Sequence, residues 1–251
     1  MSSVATGIMV LVCVFGGALL GMFLRTVLPK HHLESETKDV VKLGMGLVGT
    51  MAALILGLLV TSAKGNYDAQ SAELTQVSAN ILMLDRVLSH YGPETNEARE
   101  ALKGVVVHAL DKMWSQTRQG PSQVDSGTHG NESLYEKIHA LSPKDEAQRS
   151  LKSEALSITL SLGQTRWLMY EQQATSASKP LVIVMVFWLT IIFVSWGLFA
   201  PTNGTVISTF FAAGLAVSGA IFLILEMYAP YSGLIRVSSA PLRAAIVQLG
   251  Q

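Results

Sequence analysis

The sequence predicts an all-α membrane protein, with four transmembrane helices and a central helical aqueous domain built on extensions of spans two and three. Three observations predict it. Four apolar runs, residues 4–24, 43–62, 181–200 and 205–225, each approach or exceed the roughly 20 apolar residues a helix needs to cross about 30 Å of hydrocarbon. The long polar interval between the second and third runs places its apolar residues three and four apart, the seam of helices packed in water. The composition, 49% hydrophobic and 14% charged with a mean hydropathy of +0.39, is too apolar for an ordinary soluble domain. Four regions follow: residues 1–63 with spans one and two, 64–180 the aqueous domain, 181–226 the hairpin of spans three and four, and 227–251 a tail.

The first span has no charge before Arg25, no basic residues ahead of it and no small-x-small cleavage site, so it is expected to be retained as a span rather than removed as a signal peptide. Cys13 is the only cysteine and sits inside this span as a small packing residue, which excludes an intrachain disulfide and thiolate zinc clusters. Gly17 and Gly21 make a small-xxx-small face for close helix contact.

The second span carries Gly46, Thr50, Ala53, Gly57, Thr61 and Lys64 at spacings of three and four, one stripe of small and weakly polar side chains. Such a stripe serves close helix packing in lipid, or it forms a pore wall, because hydroxyls and bare backbone partly replace an ion's water. The opposing face, Leu47, Met51, Leu54 and Leu58, equally suits a hydrophobic constriction that gates by dewetting. Beyond Lys64, residues Leu74, Val77, Ile81, Leu84, Leu88 and Tyr91 continue the helical period with no proline before Pro93. Span two is therefore expected to leave the membrane as one rod of about 50 residues, roughly 75 Å long, with Gly65-Asn66 its only plausible bend and Gly92-Pro93 its end.

A second aqueous helix is expected from Glu94 to Arg118, with Leu102, Val106, Leu110 and Met113 on one face. Residues 119–131 are rich in Gly, Ser and Asp and read as a mobile loop; Asn131-Glu132-Ser133 at its end fits a glycosylation acceptor, a triplet that arises often by chance and carries little weight. Ser142-Pro143 followed by Asp145 and Glu146 reads as a helix start with a capping hydroxyl. Its stripe of Leu151, Ala155, Ile158, Leu162 and Met169 runs toward span three, punctuated by Pro180. A displacement in the aqueous helices would then travel along stiff rods into the membrane.

Spans three and four are joined by Pro201–Gly204, too short for anything but an antiparallel hairpin. In the tail, Pro230 and Gly233 break the helix, and Ser239 with Pro241 restarts one whose apolar face is Leu242, Ala245, Ile246 and Leu249. The tail is expected to fold back onto the bundle or the membrane surface. An even number of spans puts the amino terminus, the aqueous domain and the tail on one side. Arg25, Lys30, Lys38 and Lys42 balance Lys64, Lys179, Arg236 and Arg243 in the positive-inside count, and the last hairpin places the aqueous side in the cytoplasm while the first span argues the reverse.

Chemistry of the enzymatic kind finds little support. His31, His32, His90, His108, His129 and His139 show no metal-ligand spacing, and there is no nucleophile elbow or phosphate-cradling glycine loop. No metal, no cofactor and no catalytic residue is expected. Net charge is zero, which leaves no electrostatic footprint for nucleic acid. Ionisable residues are absent from all four spans, which disfavours a coupled transporter. Glu226, at the end of span four, is an interfacial cap or ion-pair partner of Arg236, or alternatively a carboxylate ring or latch at a pore entrance.

Glu226, Pro230, Gly233, Leu234, Ile235, Arg236, Ser238 and Pro241, with the run from Gly57 through Lys64 to Tyr67 and the helix through Asn80 to Arg86, resemble the bacterial bestrophin-like family. The resemblance covers nearly the whole chain. Where typical members resemble Asp-x-Pro-Phe-x-Gly before the tail, this chain has Tyr228 to Gly233 and lacks the aspartate. The family's name implies kinship with bestrophins, pentameric anion channels with a cytosolic helical domain. The resemblance thus implies a homo-oligomeric ion channel in the bacterial inner membrane, anion-conducting, a pentamer by analogy, with span two lining the pore and lipid and small permeant ions as its partners. The competing reading is a non-conducting membrane sensor or scaffold whose helical domain binds a partner.

Overall fold

The computed structural model describes residues 2–29, 34–115, 125–174, 179–231 and 233–250. Among them are α1 (Ser3–Val27), α2 (Ser35–Tyr91), a 3-10 turn (Pro93–Thr95), α3 (Asn96–Ser115), α4 (Asp125–His139), α5 (Glu146–Ala174), α6 (Lys179–Phe199), α7 (Gly204–Met227) and α8 (Ala240–Gln248), and no strand. Four of these helices, α1, α2, α6 and α7, are long and apolar enough to cross a membrane. The chain divides into two compact units, Met1–Asn66 with Ser176–Ala229, and Tyr67–Thr175 with Pro230–Gln251. The tail from Pro230 therefore belongs to the second unit, the one expected to face water, rather than standing alone.

In the membrane unit, the small residues let two backbones meet. A Cβ on Gly21 would overlap the carbonyl of Val194, one on Gly197 would overlap that of Ala18, and one on Gly17 would lie 3.1 Å from the Thr190 methyl. The expected contact of Gly17 and Gly21 is thus made, and its partner is α6. Helix α7 joins through Ser218, whose hydroxyl donates to the Gly7 carbonyl at 2.6 Å, above a core of Val10, Val14, Ala18, Phe193 and Ile221. The loop ends are tied as well: Ser2 caps α1, Asn203 caps α7 by accepting from the Val206 amide at 2.8 Å, and the Arg25 guanidinium donates to the Ala200 carbonyl. Pro180 sits in the first turn of α6, where its missing N–H costs nothing.

Helix α2 runs 57 residues without a break, about 85 Å at 1.5 Å per residue, so Gly65-Asn66 does not interrupt it. Its half in the second unit buries Leu74, Ile81, Leu84, Leu88 and Tyr91 and partly buries Val77, the stripe read from the sequence. These meet Leu102 and Val106 of α3, Leu134 and Ile138 of α4, Ala155 of α5, and Leu242, Ala245 and Leu249 of α8 in one core. Gly92 ends the helix at φ +131°, a conformation that favours glycine, and the buried Thr95 hydroxyl donates to the Leu88 carbonyl there and to the Gly92 carbonyl, which also accepts the Thr95 amide.

Two expectations differ from the fold. Residues 125–131, expected within a loop, are the start of α4; residues 119–124 of that loop lie outside the described residues. Leu134 and Ile138, one turn apart, are 2% and 0% exposed, so packing against α3 stabilises a helix whose sequence has no long stripe. The cap of α5 is Asp145 rather than Ser142: its carboxylate accepts from the Gln148 amide at 2.7 Å, and the Gln148 side chain returns to the Lys144 amide at 2.8 Å. The same side chain donates to the Tyr91 carbonyl at 3.0 Å and so ties the start of α5 to the end of α2. The junction of α5 with span three, at residues 175–178, lies outside the described residues.

Candidate functional site

In the membrane unit, α2 packs along one face only. Ala52, Leu59 and Ala63 are buried, with Met45, Val48, Ile55 and Leu56 beside them, against Met185, Trp188, Leu189 and Ile192 of α6 and Ile224 of α7. These α2 positions recur every three or four residues and leave most of the helix circumference uncovered. The stripe of Gly46, Thr50, Ala53, Gly57, Thr61 and Lys64 is exposed along its whole length, and a Cβ on Gly46 or Gly57 would meet nothing within 4 Å. The close-packing role of this stripe is therefore not exercised inside the chain, in contrast to Gly17, Gly21 and Gly197. Leu47, Met51, Leu54 and Leu58 are exposed too, at 65%, 45%, 75% and 68%. At 3.6 residues per turn the two stripes lie about 90° apart, side by side rather than opposed, and both turn away from the packed face.

The hydroxyls on that surface already have work within the helix. Thr50 donates to the Leu47 carbonyl at 2.8 Å and Thr61 to the Gly57 carbonyl at 2.9 Å. What they present outward is oxygen lone pairs, which do not attract anions; the positive charge of the stripe comes from Lys64 alone. Near this end of α2, Ser62 shares a hydrogen bond of 2.9 Å with the Tyr228 hydroxyl just past α7. Glu226 is 2% exposed in the same unit, a carboxylate taken almost fully out of solvent, whereas Arg236 belongs to the second unit and donates its Nε–H to the Gly233 carbonyl at 2.8 Å.

The remaining tail residues form a docking strap. The Val237 amide donates to the Pro230 carbonyl at 2.8 Å, and Gly233 takes φ +93° to close the bend between them. Ser238 accepts from the Ala240 amide at 3.2 Å, and Pro241 occupies the first turn of α8. Tyr67 donates to the Arg236 carbonyl at 3.2 Å and Trp114 to the Val237 carbonyl at 3.3 Å, with the Trp114 and Tyr231 rings edge to face at 5.8 Å. Burial, and then nearby Glu73, push the Tyr231 phenol up, so it stays neutral at any ordinary pH.

Sequence reasoning missed Asp85 and Arg99, an ion pair inside the aqueous unit. Arg99 donates Nε–H to Oδ1 at 2.7 Å and Nη2–H to Oδ2 at 2.9 Å, and the Gly250 amide near the end of the tail donates to the same Oδ2 at 3.3 Å. Burial pushes the Asp85 carboxyl up, but the Arg99 and Gly250 bonds outweigh it and hold the group below the usual carboxylate range. The available signal was an aspartate adjoining Leu84 at the edge of a buried seam. Among the described residues no cluster of three or more His, Cys, Asp or Glu is placed to hold a metal; His31, His32 and the His129 side chain lie outside them.

Residues 12–242 match the family model of the bestrophin-like domain. The chain belongs to the bestrophin-like family. Among solved structures, this bestrophin-like chain is similar to a bacterial bestrophin homolog from Klebsiella pneumoniae carrying a point mutation. The two are 12% identical, the alignment covers 96% of this chain and 97% of the other, and the TM-score is 0.60, a likeness of fold. No curated protein matches the chain.

Proposed function

We propose that this bestrophin-like protein is the subunit of a homo-oligomeric ion channel, anion-conducting, in which copies of α2 surround the conduction axis. The observation that carries the reading is the stripe of small and hydroxyl side chains on α2, exposed from Gly46 to Lys64, whose Gly46 and Gly57 meet nothing within their own chain, whereas Gly17, Gly21 and Gly197 are packed against a neighbouring backbone. Lipid alone gives no reason for bare backbone and hydroxyls along a span, since a uniformly apolar surface serves there. One four-helix unit has no polar route of its own, so the pathway has to be enclosed by several subunits.

In that arrangement Leu47, Met51, Leu54 and Leu58 form rings that dewet when narrow, Thr50, Gly57 and Thr61 form the wetter wall beside them, and Lys64 supplies a ring of positive charge at the aqueous end. Glu226 and Arg236 stand near the ends of the segment that joins the last span to the tail. By analogy with the family, the assembly is a pentamer in the bacterial inner membrane with its helical unit in the cytoplasm. The deciding experiment is planar-bilayer recording from the purified full chain under a chloride gradient. Unitary currents with a reversal potential near that of chloride are expected, and a protein that inserts as an oligomer yet passes no current overturns the reading.

A further inference from the structure

Within the aqueous unit, α4 and α5 leave an open groove of about 390 Å³. Tyr135 from α4 and Leu160, Arg166 and Trp167 from α5 line it, with the exposed carboxylates of Glu132 and Glu136 at its side. Trp167 is 59% and Leu160 55% exposed, although the core of the same unit buries its leucines almost completely. Trp, Tyr and Arg gathered around an apolar floor are the residue types that dominate protein contacts, and large apolar side chains left in water are a cost that a partner removes. A surface of complementary chemistry lies on α2 of the same unit. Met83 is 53% exposed, and Arg86 follows it one turn on, both turned away from the buried Leu84 and Leu88. A flexible thioether suits an aromatic-walled groove, and the adjacent guanidinium suits its carboxylates.

We propose that the α4–α5 groove of one copy seats the Met83–Arg86 turn of α2 from a second copy. The inference rests on the homo-oligomeric reading above and names the contact that would hold its aqueous units together. Because groove and turn are different surfaces of one chain, the contact is head-to-tail, and a head-to-tail contact generates a closed ring when its rotation closes. Met83 enters beside Leu160 and Trp167, and Arg86 faces Glu136 of the neighbour.

The test uses the full-length protein in mild detergent, in a Cys13→Ala background. With Met83→Cys and Leu160→Cys in the same chain, oxidation is expected to give a ladder of covalent multimers from dimer up to the whole ring, while either cysteine alone gives none. Arg86→Glu is expected to raise the apparent subunit dissociation constant at least tenfold, and adding Glu136→Arg to recover most of that loss. Both surfaces are exposed within a single chain, so the helical content of each variant by circular dichroism should match the parent even where weaker association lowers its melting temperature, which separates a lost contact from a lost fold. A ladder that stops at dimer, or none at all from a protein that remains a ring, overturns this seat and leaves the channel reading standing. A parent protein that is monomeric at every concentration overturns both.

Discussion

Lys64 closes the small stripe of α2 at its aqueous end and is exposed there, three residues beyond Thr61. In the proposed channel, Thr50 and Thr61 donate their protons to their own helix, which would leave charge selection to this ammonium group. Lys64→Glu is expected to reverse the ionic preference, read as a change in sign of the reversal potential under a salt gradient. An unchanged potential removes Lys64 from the pathway. At Asp85, side-chain exposure of 9% against 18% for Arg99 means that deleting the cation leaves a carboxylate buried without its counter-charge. Arg99→Ala should lower the unfolding free energy of the protein by about 3 kcal/mol, measured by thermal or denaturant melting in detergent. The pH dependence has a definite sign. A carboxylate whose folded pKa is depressed contributes stability above its unfolded value, near 3.8, and loses it as the pH falls through the lower folded value. Acid melts should therefore show extra destabilisation below about pH 4, and Asp85→Asn should flatten that part of the curve.

At the scale of elements, glycines of identical chemistry have opposite structural roles. Gly21 lies against the Val194 carbonyl, and Gly57 against nothing in its own chain. Gly21→Leu forces α1 from α6 and is expected to cost upward of about 3 kcal/mol, seen as a fall in melting temperature or in the yield of folded protein. Gly57→Leu should leave the monomer's melting temperature unchanged or slightly raised, since leucine is the better helix former, while reducing unitary conductance by narrowing the proposed pathway. Helix α2 itself was legible, because hydropathy marks its membrane half, a three-four spacing marks its aqueous half, and no proline intervenes. Helix α4 was not. Its apolar residues, Leu134, Tyr135 and Ile138, fill little more than one turn, and the flanking Gly and Ser residues resemble loop; burial of that turn in the shared core with α3 and α5 stabilises it as a helix.

For the molecule as a whole, the proposed function needs several copies of α2 around one axis, so mass in mild detergent is the first quantity to measure. A ring of more than two subunits is expected, and a monomer or simple dimer would favour the scaffold reading, since neither encloses a conduit. What the sequence by itself determined is the number of spans, the continuity of α2 and the helical character of the aqueous region. Hydrophobic length and periodicity are local properties, and lipid permits only self-satisfied backbones such as these. The folded structure decided which faces meet: that Gly17 and Gly21 pack on α6, that the stripe of Gly46 and Gly57 stays open, and that the tail closes over α2 and α3 through Asp85, Trp114 and Tyr67. In a span the faces differ little in polarity and in the tail every turn is short, so composition alone does not say which face meets which; the shape and hydrogen-bonding of the surfaces opposite do.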